Sequence, residues 1–182
     1  MTRQLSRELQ GVPTEILVQT FADRILVLVT QLGRVGNLIQ TTIPDTTPLP
    51  VLAVRDPVQP NLQALPEPPS AIQLTPLLGR APSPHIQTLH SLYAAQIATI
   101  LWTARSSNPL EVSRKSVVVG IALRRSDAHD DQGLTEYERS VFAGVMSMVL
   151  ELATAMLFAG PKRHLAGGAC QNYGDCYATG RR

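Results

Sequence analysis

Aromatic side chains make up only 4% of this chain, and charged residues only 16%, against roughly 25% charged in an ordinary globular domain. The first shortage leaves core burial to aliphatic residues and offers few rings for stacking on bases. The net charge of +2 is too small to argue for nucleic acid or an anionic membrane as a partner. Two cysteines do not make the dense pattern of a small secreted disulfide scaffold. No unbroken apolar run approaches the roughly 20 residues that span a bilayer, and residues 1–10 hold no apolar signal core. Neither HExxH nor GxSxG occurs, and there is no phosphate loop. These absences point to a protein that binds rather than catalyses. The expectation is no enzyme activity, no cofactor, no metal, no nucleic acid and no membrane. A cytoplasmic location is expected, with the nucleus also open.

What is present is aliphatic: the hydrophobic fraction is 44% of 182 residues, enough to build one domain core. Composition shifts twice. Residues 44–84 hold 11 of the 14 prolines. Proline removes a backbone donor and pushes its predecessor out of the helical region, so residues 44–69 read as an extended, mobile insert. Five of the 12 glycines fall in 160–182, a stretch with no apolar period, which reads as a disordered tail. The expected organisation is a flexible N-terminus at 1–10, a single domain at 11–158 carrying that insert, and the tail.

Within the domain, residues 14–21 alternate as a strand, and residues 24–32 (RILVLVTQL) form the strongest strand in the chain. Ile25, Val27 and Val29 point one way, and Leu26, Leu28 and Leu32 the other. A strand wet on one side alternates with polar residues, so this one is expected to be covered on both sides. Gly33-Arg34-Val35-Gly36 turns the chain into a third strand at 37–43, and a further strand at 71–78 is confined by Pro76 to an edge. Ser83-Pro84 then supplies a helix cap with proline at the first helical position, and an apolar stripe from Ile86 to Ala104 follows the 3.6-residue period. Residues 115–124 return as a strand whose Val117, Val119 and Ile121 face opposite the smaller Val118, Gly120 and Ala122. The small face suits a helix lying close against it. Thr135 to Glu138 is a capping box opening the last helix. The order β-β-β-(β)-α-β-α gives an α+β fold: an antiparallel sheet with two helices on one face and the other face available for dimerisation. An uncovered apolar face marks an interface, and Ile25, Val27 and Val29 are the expected partner-binding residues.

Other candidates carry less chemistry. His90 sits on the helix stripe and reads as a half-buried core residue. Residues 126–131 (SDAHDD) are acidic but lack the glycine and ligand spacing of a calcium loop. His164, Cys170 and Cys176 are three irregularly spaced ligand types, where structural zinc takes four. The Gly33–Gly36 spacing matches the GxxG of a KH domain, which clamps nucleic acid between two helices, but here it joins strands. It reads as a turn whose glycines allow positive φ.

Gly11-Val12-Pro13-Thr14, then Ile25-Leu26-Val27-Leu28-Val29-Thr30-Gln31, then Gly33-Arg34-Val35-Gly36 resemble the proteasome-assembly chaperone 3 family. The close match covers residues 11–39, under a fifth of the chain, and residues 84–158 share the family's order of elements. The resemblance implies a non-enzymatic chaperone for assembly of the proteasome core particle. Such a protein pairs with a related assembly chaperone, number 4, into a heterodimer, binds proteasome α-type subunits and assists α-ring formation. It also places Gln31, Gly33, Arg34 and Gly36 at an exposed turn, a candidate α-subunit contact. The insert, the long last helix and the tail depart from the family pattern. A small roadblock- or longin-like trafficking scaffold is the alternative, and an RNA-binding module using the GxxG turn a third reading.

Overall fold

Alternation at period two places most of the sheet. The computed structural model describes residues 2–31, 33–34, 36–50, 65–106, 114–124 and 133–158. Six strands, β1 (Thr2–Leu9), β2 (Val12–Thr20), β3 (Arg24–Thr30), β4 (Asn37–Thr42), β5 (Gln73–Leu78) and β6 (Ser116–Ala122), accompany two helices, α1 (Pro84–Ser106) and α2 (Glu136–Phe158). The α+β class stands. Spatial order in the sheet is β1-β2-β3-β6-β4-β5.

Against the expected all-antiparallel arrangement the sheet is mixed, because β6 enters between β3 and β4 and runs parallel to β3. The physical reason lies in the strand itself. SVVVGIA is buried along nearly its whole length, and such a strand belongs in the sheet interior with a neighbour on each side. The path through β4, β5 and α1 supplies the long crossover that a parallel pair requires.

The N-terminus corrects the expectation of a flexible segment at 1–10. Thr2–Leu9 pairs with β2 along its whole length. Its polar composition fits an edge strand, and Leu5 and Leu9 still pack on the core. Gln10 and Gly11, both at positive φ (50° and 75°), make the two-residue hairpin turn that needs left-handed backbone at both positions. Arg7 reaches Glu151 of α2 at 2.9 Å.

Both helices begin as the sequence indicates. Ser83 Oγ accepts from the Ile86 N–H (3.3 Å). Thr135 and Glu138 exchange side-chain-to-backbone bonds (3.2 and 2.9 Å), the reciprocal capping box. Glu138 also meets His85 at 3.0 Å, and Tyr93 packs edge-on to Phe142 with ring centroids 5.0 Å apart. The helix starts therefore lie together and the helices run in the same direction. α1 covers β4 and β6 while α2 covers β1 and β2, on one side of the sheet. They lie on the large face of β6, over Val117, Val119 and Ile121, all in the core. The expectation that the small face would receive a helix is reversed. Glu136–Met156 within α2 is long and apolar enough, by length and composition, to cross a membrane. This differs from the sequence reading, which counted only unbroken apolar runs. The helix supplies Val141, Val145, Met148 and Val149 to the core.

The Pro-rich insert is anchored at both ends rather than free throughout. Arg114 donates from its backbone N–H to Asp45 Oδ1 (3.1 Å) and from its guanidinium to Pro44 O (3.0 Å). Buried Gln96 of α1 donates to Pro66 O (2.8 Å). Residues 51–64, and the expected tail at 160–182, lie outside the described residues.

Candidate interaction surface

Ile25, Val27 and Val29 are not available to a partner: they are 0%, 0% and 1% exposed and belong to the core beneath this chain's own helices. A strand presents alternate residues to opposite faces, so the helices claimed one set and left the other. The face away from the helices carries Leu26 and Leu28 instead, both half-buried. No described helix lies on that side.

Pairing register shows what this outer face offers. Leu17, Leu28, Gly120, Leu38 and Leu78 fall in one row across β2, β3, β6, β4 and β5. Gly120 is the centre of the row. A Cβ there would stand 2.6 Å from Leu28 Cδ2 and 3.0 Å from Leu38 Cδ2, so the missing side chain lets two leucines from flanking strands converge. Leu26 and Val118 continue the apolar patch in the adjacent row, which ends in Gln19 and Gln40. On the other side Glu15 pairs with Thr30. An apolar centre with a polar rim is the anatomy of a protein-protein interface.

Size supports the same conclusion. Six strands about 4.8 Å apart and about seven residues long at 3.3 Å each give a face of roughly 550 Å² in plan. A standard interface takes about 800 Å² of accessible surface from each partner, and side-chain relief raises accessible area above plan area. Exposed Leu77 and Leu78, at 48% and 62%, extend the apolar strip onto the β5 edge. Pro76 in that strand blunts the edge as a pairing template, so the face is the better docking surface.

The turn residues divide by role. Gln31 is a bracket. Its side chain donates to Thr14 Oγ1 (2.9 Å) and accepts from the Arg124 N–H (2.9 Å), while its own N–H donates to Ala122 O (2.9 Å). Those bonds tie β2, β3 and β6 together and occupy the side chain. Gly33 takes the left-handed backbone (φ 61°). Gly36 serves a close approach: a Cβ there would fall 1.7 Å from Ile121 O. Arg34 is exposed. At the opposite end of β3, Arg24 donates to Asp23 (2.8 Å), and this bond holds the Asp23 carboxyl below its ordinary value. His164, Cys170, Cys176 and the acidic stretch 126–131 lie outside the described residues.

Leu17, Leu38, Leu78 and Gly120 were missed as site residues by sequence reasoning. The available signal was the small-large alternation of 115–124, taken there as a helix seat.

No protein-family model matches this chain, and no curated protein matches it. Among solved structures it is similar to a chain in the crystal structure of a chaperone complex for yeast 20S proteasome assembly. The two chains are 11% identical, with a TM-score of 0.45, and the match covers 82% of this chain and 98% of that one.

Proposed function

We propose that this chain is a non-catalytic chaperone for proteasome core-particle assembly that works as a heterodimer with a related assembly chaperone and promotes α-ring formation. The observation that carries the pairing is the apolar row centred on Gly120, on the side of the sheet where no described helix lies. The resemblance of residues 11–39 to the proteasome-assembly chaperone 3 family supports the rest. The partner's sheet stacks on the outer face at about 10 Å, the usual spacing of packed sheets. The rim of Glu15, Gln19 and Gln40 sets its orientation. The dimer binds α-type subunits, so that binding energy orders them, and later subunits displace it by competing for the same surface. The site of action is the cytoplasm.

The test is co-expression of the tagged chain with candidate small assembly chaperones and proteasome α-type subunits, followed by pull-down and size-exclusion mass. The expected result is a 1:1 complex with a second small chaperone that also retains an α subunit. Leu28→Glu, which places a charge in the apolar row, abolishes pairing and leaves the monomer folded; Glu15→Gln at the rim does not. Recovery of neither chaperone nor α subunit refutes the proposal, and recovery of small-GTPase regulators redirects it to the trafficking-scaffold alternative.

A further inference from the structure

A half-open cavity of about 250 Å³ sits on the helix side, at the end of the sheet where β4 begins and β6 finishes. It lies apart from the Leu17–Leu28–Gly120–Leu38 row, none of which lines it, and of the small face of β6 only Ala122 borders it. Three arginines from three separate connections line it: Arg34 from the β3–β4 turn, Arg80 from the β5–α1 connection and Arg124 after β6. All three are exposed, and none has a carboxylate partner among the described residues. The first turns of α1 and α2 also border the cavity, and helix N-termini carry partial positive charge. Below this electropositive rim the walls are apolar, formed by Ile86, Leu89, Val141 and Ile121.

Among the described residues one acid, Glu138, borders the same space. Glu138 is 5% exposed and already accepts from the Thr135 N–H on one oxygen and meets His85 with the other. His90 is kept neutral by burial, which lowers its pKa, and its Nδ1 stands 3.2 Å from Asn37 Nδ2. Tyr137, also in the wall, has its hydroxyl enclosed without a hydrogen-bond partner among the described residues.

We infer that this cavity binds a carboxylate attached to a small apolar body, with the carboxylate among Arg34, Arg80 and Arg124 and the body on the Ile86–Leu89 wall. Guanidinium groups pair with carboxylates through paired N–H donors. The volume selects the size. It falls below the roughly 300–1,000 Å³ of sites for drug-sized ligands, so a single aliphatic residue or short-chain acid fits and a nucleotide does not. Two sources share that chemistry: a free short-chain acid, and the C-terminal residue of another polypeptide. The site is independent of sheet pairing and stands or falls separately from it.

Calorimetric titration of the full chain separates the outcomes. The probes are hexanoate, hexanamide, acetate, and a hexapeptide Gly-Gly-Ser-Gly-Gly-Ile with its C-terminus free or amidated. Either free acid should bind at least about tenfold more tightly than its amide, and hexanoate about tenfold more tightly than acetate. The triple substitution Arg34→Gln, Arg80→Gln, Arg124→Gln, all on exposed side chains, should lose about tenfold or more in affinity at unchanged melting temperature. Tighter binding of the free peptide assigns the site to a chain end, and tighter binding of hexanoate assigns it to a small acid. The inference is overturned if no acid binds at about 10 mM, if acid and amide bind alike, or if the triple variant binds as the unaltered chain does.

Discussion

Replacing each glycine of the 33–36 turn by alanine should produce two very different losses, because the two glycines are required for different reasons. At Gly33 the φ of 61° is left-handed, and an added Cβ meets nothing within 4 Å. The cost is therefore conformational only, about 1–2 kcal/mol. At Gly36 the added Cβ would lie 1.7 Å from Ile121 O and 3.0 Å from Ala122 Cα. Both atoms are backbone, so no rotamer change relieves the overlap. β4 must move away from β6 by more than 1 Å, weakening a ladder in which Asn37 pairs with Ile121. That places Gly36→Ala at or beyond the upper end of overpacking costs, about 3 kcal/mol. For a domain of this size 1 kcal/mol shifts the melting temperature by about 2–4 °C. Gly33→Ala should then melt about 2–8 °C lower, and Gly36→Ala at least about 6–12 °C lower. Thermal unfolding followed by far-ultraviolet circular dichroism reads both, and Gly33→Asn should recover part of the first loss because asparagine tolerates the left-handed region. Equal losses for the two alanine variants would refute the reasoning that separates them.

Three further outcomes are expected. Ile25→Ala, in the core, should cost about 2–5 kcal/mol in urea unfolding, whereas Leu26→Ala on the outer face should cost roughly 1 kcal/mol; a reversed order would invert the two faces. Thr135→Ala removes the acceptor for the Glu138 N–H and should lower stability by about 1 kcal/mol, with no loss if the cap contributes nothing. Burial lowers the His90 pKa below its ordinary value, so the unfolded chain binds a proton that the folded chain refuses. This contribution is intact above about pH 6.5 and is lost as pH falls below it toward the folded value. His90→Gln should flatten the fall in the urea midpoint between about pH 7 and 5, and an unchanged slope would contradict the assignment.

Much of the fold was legible because its strands obey period two and its helices carry their own start signals. Thr135 and Glu138 read as a capping box and form one. What escaped were features set by pairing between distant segments. TRQLSREL looks solvated because an edge strand needs only Leu5 and Leu9 to hold it. The insertion of β6 between β3 and β4 depends on which open edge a late strand joins, and local pattern does not encode that choice. The same uncertainty assigned Ile25, Val27 and Val29 to the free face, where the structure buries them. Alternation divides β3 correctly into Ile25, Val27, Val29 and Leu26, Leu28, but both sets are aliphatic, so only the position of the helices decides which set is free. Arg34, chosen from the turn, does line a cavity, but its company of Arg80 and Arg124 comes from connections 46 and 90 residues later in the sequence.

The late arrival of β6 has a consequence for synthesis. Until residue 122 has left the ribosome, β1-β2-β3 and β4-β5 are two separate half-sheets. Each has a bare inner edge, on β3 and on β4, waiting for the strand that will join them. The 44 residues from the end of β5 to the end of β6 take several seconds at about 5–20 residues per second. Throughout that interval the most aliphatic strand, RILVLVT, offers one unpaired row of backbone donors and acceptors. The chain is therefore most open to mispairing with other nascent chains while it is still incomplete, and its yield depends on how quickly SVVVGIA closes the gap.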